Sequence, residues 1–261
     1  MSQRSPAEKD VDRSAVPARS RGVFHCIRSP GIFARYPLIG LAMFVFGGFV
    51  FGILAYNLVS NGPLLKWDVP LAKHLHATAV QGPAWVRYIM IGGYFVGDQV
   101  ITVIGIIFAI YFLRQKCWRE LTMLTCGLAI SALLFLLLAH TFDRPRPDFQ
   151  PELWGGANLW GGGEGTTHLP SFPSGHAMAV VSGYGLLGYF FVPRIRSRAR
   201  KALVIGSVVL IGLYVNFSRL FLCDHFLSDI IAGTGIGIAW MGLAQTAVEL
   251  LFRKRSRVKS A

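Results

Sequence analysis

"PLIGLAMFVFGGFVFGILAYNLVS", Pro37 to Ser60, contains no Asp, Glu, Lys or Arg. A helix needs roughly 17–25 apolar residues to cross a bilayer, and this run is long enough. Four more runs, Leu121–Ala139, Gly175–Val192, Ala202–Phe217 and Ile230–Val248, are equally free of these charges. A further run, "VGDQVITVIGIIFAIYFL" from Val96 to Leu113, holds one carboxylate, Asp98. The pattern predicts an all-α polytopic membrane protein, a bundle of six transmembrane helices. Composition agrees. The 261 residues are 53% hydrophobic and 15% charged, whereas soluble domains carry about 25% charged residues. Six such runs leave too few polar faces to cover a soluble core.

A carboxylate deep in lipid is costly, so Asp98 is expected at the outer-face start of the second helix. The segment before it, "LLKWDVPLAKHLHATAVQGPAWVRYIM", is amphipathic and is expected to lie along the outer surface, with Trp67 and Trp85 as interfacial anchors.

The net charge is +13, and its placement argues against nucleic acid as a partner. Most Lys and Arg residues fall in four segments: the N-terminal tail, Arg114–Arg119, Arg194–Lys201 and Arg253–Lys259. Pairs of predicted helices separate these segments, so all four share one face. The positive-inside rule makes that face cytoplasmic, where the basic residues meet anionic headgroups. Both termini are then inside. The expected organisation is a basic disordered tail over residues 1–36, a membrane domain over 37–252 and a second basic tail over 253–261. The polar first 36 residues and the length of the first apolar run argue against a cleaved signal peptide. Cys26, Cys117, Cys126 and Cys223 lack paired or metal-like spacing and are expected to be free thiols. His74, His76, His140 and His168 have no ligand spacing, so neither a metal nor another cofactor is expected.

Three polar clusters converge on the outer face: "DRPRPD" (Asp143–Asp148), "PSGH" (Pro173–His176) and "SRLFLCDHFLSD" (Ser218–Asp229). Arg146 and Arg219 can fork onto a phosphate. Ser174 and Gly175 open a helix, whose free amides favour an anion. His225 and Asp229 share one helix face, and an Asp beside a His fixes its tautomer. His176 is a second titrating group. Together these residues describe a phosphate site with a nucleophile and an acid. Arg144 has three readings: a second phosphate contact, a partner of Asp143, or an interfacial anchor. Asp224 is read as a helix cap. The glycine-rich loop Phe149–Phe172 is either an ordinary interfacial loop or a lid over the site.

These clusters resemble the signature of the type 2 phosphatidic acid phosphatase superfamily. Ser218, Arg219, His225 and Asp229 match its third motif in full, and Pro173–His176 match its second. Of the first motif only Arg146 and Pro147 match, because Ala139 stands where the family has a lysine. The resemblance covers roughly Lys66 to Gln245 and is strongest to bacterial six-helix membrane phosphatases. It implies a metal-free hydrolysis of a lipid phosphate or diphosphate. His225 would be the nucleophile, Asp229 its orienting acid and His176 the general acid. Arg146, Arg219, Ser174 and Gly175 would hold the phosphoryl oxygens. The expected setting is a bacterial inner membrane with the site facing outward. Undecaprenyl diphosphate is the favoured substrate on family frequency. Lipid A phosphatase, phosphatidylglycerophosphate phosphatase, lipid phosphotransferase and non-catalytic lipid-phosphate binder are the alternatives. If the missing lysine is replaced, Arg144 and His140 are the candidates.

Overall fold

A computed structural model describes residue 26, residues 31–147 and residues 170–258 of the chain, with side chains to residue 254. Of the tail expected over residues 1–36, residues 1–25 and 27–30 lie outside the described residues and Ile32–Arg35 is helical; of the Phe149–Phe172 loop, residues 149–169 lie outside them.

Among the described residues the regular structure is helical. A short α1 (Ile32–Arg35) leads into α2 (Pro37–Val59), and α3 (Asp68–Gln81) follows. Then come α4 (Ala84–Arg114), α5 (Trp118–Phe142), α6 (Gly175–Arg194), α7 (Arg198–Phe221) and α8 (Leu227–Val258). Six helices (α2 and α4–α8) are long and apolar enough to cross a membrane. Large apolar side chains such as Phe46, Phe49, Leu133, Leu137 and Leu210 stand exposed on the outside of the bundle, as lipid contact requires.

The expected start of the second helix is corrected. The helix begins at Ala84 rather than near Val96, and Asp98 falls within a π turn, Val96–Val100, in its middle. Apolar residues from Ala84 onward carry the helix past Arg87 and the Gly92–Gly93 pair, which had masked it in the sequence. Asp98 still stands near the site end of the bundle, because Gly97 packs against Val215 and the ring of His176 at the start of α6.

Helices in lipid gain from close packing of small residues, and α2 lies along α8 in this way. A Cβ on Gly47 would come within 2.3 Å of the Gly235 carbonyl, so only glycine permits that approach. Nearer the site, a Cβ on Gly233 would come within 2.3 Å of the Ser174 carbonyl. This closeness brings the first turns of α6 and α8 together.

Helix ends decide what the connections present. At the end of α4, Lys116 has φ 57°, and the amides of Lys116 and Cys117 bond back to Leu113 and Phe112. At the end of α7, Cys223 has φ 53°, and the amides of Cys223 and Asp224 bond back to Leu220 and Arg219. Both are Schellman turns with a residue other than glycine in the left-handed position. The first turn places Cys117 against Cys26, and the two form a disulfide with 5.4 Å between Cα atoms. This corrects the expectation of four free thiols. The partners lie 91 residues apart, so no local spacing announced them. Cys126 and Cys223 are free.

Candidate active site

The second Schellman turn ties the Asp224 amide to the Arg219 carbonyl at 2.9 Å and sends Asp224 and His225 into the bundle, both buried. His225 Nδ1 lies 2.8 Å from the carbonyl oxygen of Ser171. A carbonyl only accepts, so Nδ1 carries the ring proton and Nε2 keeps its lone pair. Among the described residues that Nε2 is buried without a hydrogen-bond partner, as is Nε2 of His176. The two rings meet edge to face with centroids 6.2 Å apart. His176 stands in the first turn of α6 and packs on Tyr94, 5.2 Å between centroids.

Asp229 begins α8 and reaches back to accept the Phe226 amide at 2.8 Å, the carboxylate half of a capping box. It lies 3.9 Å from His225 Nδ1, too far for a hydrogen bond. Ser171 closes the gap: its hydroxyl donates to Asp229 Oδ2, and its carbonyl takes the imidazole proton. Asp229 therefore steadies His225 through Ser171. The other carboxylate oxygen accepts from Arg144 Nη1 at 2.5 Å.

Arg144 is shared between two acids. Its Nη2 donates to Asp68 at 2.8 Å, its Nη1 also reaches Ser228 Oγ at 2.8 Å, and its guanidinium lies over the Phe226 ring at 4.3 Å. Asp68, at the start of α3, further accepts the Ser228 amide at 3.0 Å. Surface helix α3 is thus bonded to the first turn of α8. Of the three readings open for Arg144, the structure shows none directly and adds this fourth, a bridge between Asp68 and Asp229.

Arg146 and Arg219 converge, as the sequence reading expected, but on Asp224. Arg219 Nη1 donates to Asp224 Oδ2 at 3.3 Å, Arg146 Nη1 donates to Oδ1, and Arg219 stacks on Tyr94 at 5.0 Å. Asp224 is therefore an ion-pair partner, which corrects its reading as a helix cap. Burial raises its carboxyl, but the charges of Arg146 and Arg219 outweigh this and hold it below the usual carboxylate range. Burial first, then the Arg146 charge, holds the His225 imidazolium well below the ordinary histidine value, with Asp224 opposing. Cys223, beside them, is pushed up to about 12 by burial and by Asp224.

Ser174 caps α6 through the Ala177 amide at 3.4 Å, and its own amide bonds the Asp229 carbonyl at 2.9 Å. Gly175 lies against the ring of Phe135, which a Cβ would meet at 2.9 Å. Ala139 is fully buried and His140 is exposed. Among the described residues two groups have metal-ligand types close together: Cys26, Cys117 and Glu120, and His176, Asp224 and His225. The first has its sulfurs in a disulfide. In the second, the carboxylate already serves two guanidinium groups, whose positive charge opposes a cation.

All eight residues named from the sequence thus lie in one cluster at one end of the bundle. Sequence reading missed Ser171, Asp68, Ser228 and the pairing role of Asp224. Ser171 was adjacent to a motif, in "SFPSGHAM". Asp68 was visible only as the acid of "WDVP".

Three comparisons bear on this geometry. The PAP2 superfamily profile matches residues 120–253. Phosphatidylglycerophosphatase B of Bacillus subtilis is 27% identical over 214 residues, covering 80% of this chain and 97% of that protein. The crystal structure of a transmembrane PAP2 type phosphatidylglycerolphosphate phosphatase from Bacillus subtilis superposes with a TM-score of 0.61 at 26% identity, over 78% of this chain and 93% of the other.

Proposed function

This chain belongs to the PAP2 superfamily, and on that premise we propose that it removes phosphate from a membrane lipid through a phosphohistidine on His225. It is a multi-span membrane protein of a lipid phosphatase family. The observation that carries the mechanism is the pair of buried, unpartnered Nε2 atoms on His225 and His176, with His225 Nδ1 anchored on the Ser171 carbonyl.

His225 Nε2 attacks phosphorus with its lone pair, and the bond from phosphorus to the lipid oxygen breaks. His176, entering the step protonated, gives its Nε2 proton to that oxygen, and the lipid alcohol leaves. Water then attacks the phosphohistidine while His176 takes a proton from it, and phosphate departs with His225 restored. Arg146, Arg219, Ser174 and the Gly175 amide hold the phosphoryl oxygens as charge develops. No step calls for a metal or other cofactor. Asp229 and Arg144 act as positioning residues. Arg144 serves Asp68 and Asp229 rather than replacing the family lysine. The basic end faces the cytoplasm and the site faces outward, as the charge distribution argues; the membrane domain spans residues 37–252.

Phosphatidylglycerophosphate is the first substrate. The preference for undecaprenyl diphosphate rested on frequency, whereas a relative aligned over nearly its whole length is named for phosphatidylglycerophosphate. Phosphate release by the purified chain from phosphatidylglycerophosphate, undecaprenyl diphosphate and lipid A tests this order. Fastest release from phosphatidylglycerophosphate is expected. Faster release from either other lipid rejects the assignment, and release from none rejects the phosphatase reading.

A further inference from the structure

Asp224 is an anion inside a site built for anions. Its carboxylate accepts from both Arg146 and Arg219, the two guanidinium groups assigned to phosphoryl oxygens. One nitrogen of His176, one of His225 and one carboxylate oxygen of Asp224 lie within 4.8 Å of one another. A phosphoryl group bonded to His225 has its oxygens in that same small volume. Asp224 also cannot withdraw far, since its amide is held by the Arg219 carbonyl at 2.9 Å and its side chain is short and buried. When a phosphoryl group takes over the guanidinium groups, the carboxylate stays beside it.

Position 139 acts in the same direction. A buried alanine stands there, where the resemblance implies a lysine. The pocket thus has one cation fewer and one anion more than the motif set alone would supply. Among the described residues, one carboxylate offsets part of the charge of two guanidinium groups. A dianionic phosphoryl group meets twice the repulsion from Asp224 that a monoanionic one meets, because Coulomb energy scales with the product of charges.

We infer that Asp224 is a specificity-determining residue that biases the pocket toward a phosphoryl group carrying one negative charge rather than two. The inference rests on reading the pocket as a phosphoryl site. Burial within contact of both arginines keeps the carboxylate poorly screened, so its charge is felt at nearly full local strength.

Tungstate and perrhenate provide the test. Both are tetrahedral oxyanions, and near neutral pH they carry two charges and one. Calorimetry on the detergent-solubilised full chain measures their binding to wild type, Asp224→Asn and Asp224→Ala. Removing the carboxylate is expected to tighten tungstate by about tenfold or more and perrhenate by about the square root of that factor, about threefold. Asp224→Asn removes the charge while keeping the size of the side chain, so the comparison does not depend on opening a cavity. An equal gain for both ions, no gain, or weaker tungstate binding in the variants overturns the inference. If wild type binds neither ion and releases no phosphate from any lipid, the phosphoryl-site reading itself fails and the inference falls with it. If wild type releases phosphate but the variants gain no more for tungstate than for perrhenate, only the inference fails.

Discussion

The two ends of the bundle use the same devices for different ends. Helix α8 carries one buried acid near each end, Asp229 and Glu249; Glu249 meets Arg119 in the first turn of α5, and Asp229 meets Arg144 just beyond its last. Arg119 pairs with Glu249 at 3.1 Å, and Arg144 pairs with Asp229 at 2.5 Å. Each end also has a Schellman turn with a left-handed residue, Lys116 or Cys223. At the basic end, the turn presents a cysteine that is consumed in a disulfide, and Glu249 pairs with Arg119 and accepts the Ala34 amide at 2.6 Å. At the other end, the turn presents Asp224 and His225, and the Nε2 atoms of His176 and His225 have no hydrogen-bond partner among the described residues. Neither a buried ion pair nor an unbonded polar atom marks a site by itself, since Glu249 Oε1 at the basic end is also buried without a hydrogen bond; two facing groups able to attack and to carry a proton do.

Mutations at matched positions sharpen this contrast. His225→Ala is expected to reduce phosphate release to the detection limit, since it removes the atom proposed to attack phosphorus. Glu249→Gln is expected to lower the thermal midpoint by breaking a buried pair, a loss of roughly 3–5 kcal/mol, while turnover per folded molecule stays near wild type. Equal loss of turnover in both would erase the distinction between the ends. His176→Ala comes next, with a loss of about 10²–10⁴-fold on a lipid phosphate and a much smaller loss on an aryl phosphate, whose leaving group needs no proton.

Two milder changes probe positioning. Ser171→Ala keeps the carbonyl that holds His225 Nδ1 but removes the hydroxyl on Asp229. Loss of one hydrogen bond to a charged group, about 1.5–3 kcal/mol, predicts a drop in kcat of about tenfold or somewhat more with KM little moved. Arg144→Ala should behave alike and Arg144→Lys should recover part of kcat, whereas a phosphate ligand would show mainly in KM.

The pH profile follows from His225. Only the neutral imidazole attacks, and burial and Arg146 hold its protonation below the ordinary value of 6.5. Activity should therefore survive acidification past 6.5 and fall only on further acidification. Removing the Arg146 charge, as in Arg146→Gln, should move that fall to higher pH, read from kcat/KM against pH. The smallest effect is expected at the basic end. Lys116→Gly relieves a left-handed non-glycine residue and should stabilise the fold by about 1 kcal/mol, leaving activity unchanged.

The six spans were legible because charge-free runs of bilayer length have few other uses. The start of α4 was not, since Arg87 and two glycines interrupt the apolar pattern without interrupting the helix. The motif residues could be named because their chemistry is unusual at a membrane edge. Their pairing could not be read. Arg144 reaches Asp68 across a long sequence separation, and nothing local to either residue records that contact. Asp224 looked like a cap because Asp often starts helices; only the Schellman turn, set by a cysteine where glycine is usual, reveals that it faces the arginines. Ser171 was hidden for a related reason, since half of its role belongs to its backbone carbonyl.

The central claim is that His225 carries the phosphoryl group. Full-length protein can be incubated with a lipid phosphate labelled at phosphorus, quenched in alkali and digested, and the label mapped by peptide sequencing. The account predicts an alkali-stable, acid-labile label on His225 that accumulates in His176→Ala and is absent from His225→Ala. Label on any other residue, or steady phosphate release with no protein-bound label in either wild type or His176→Ala, would contradict it.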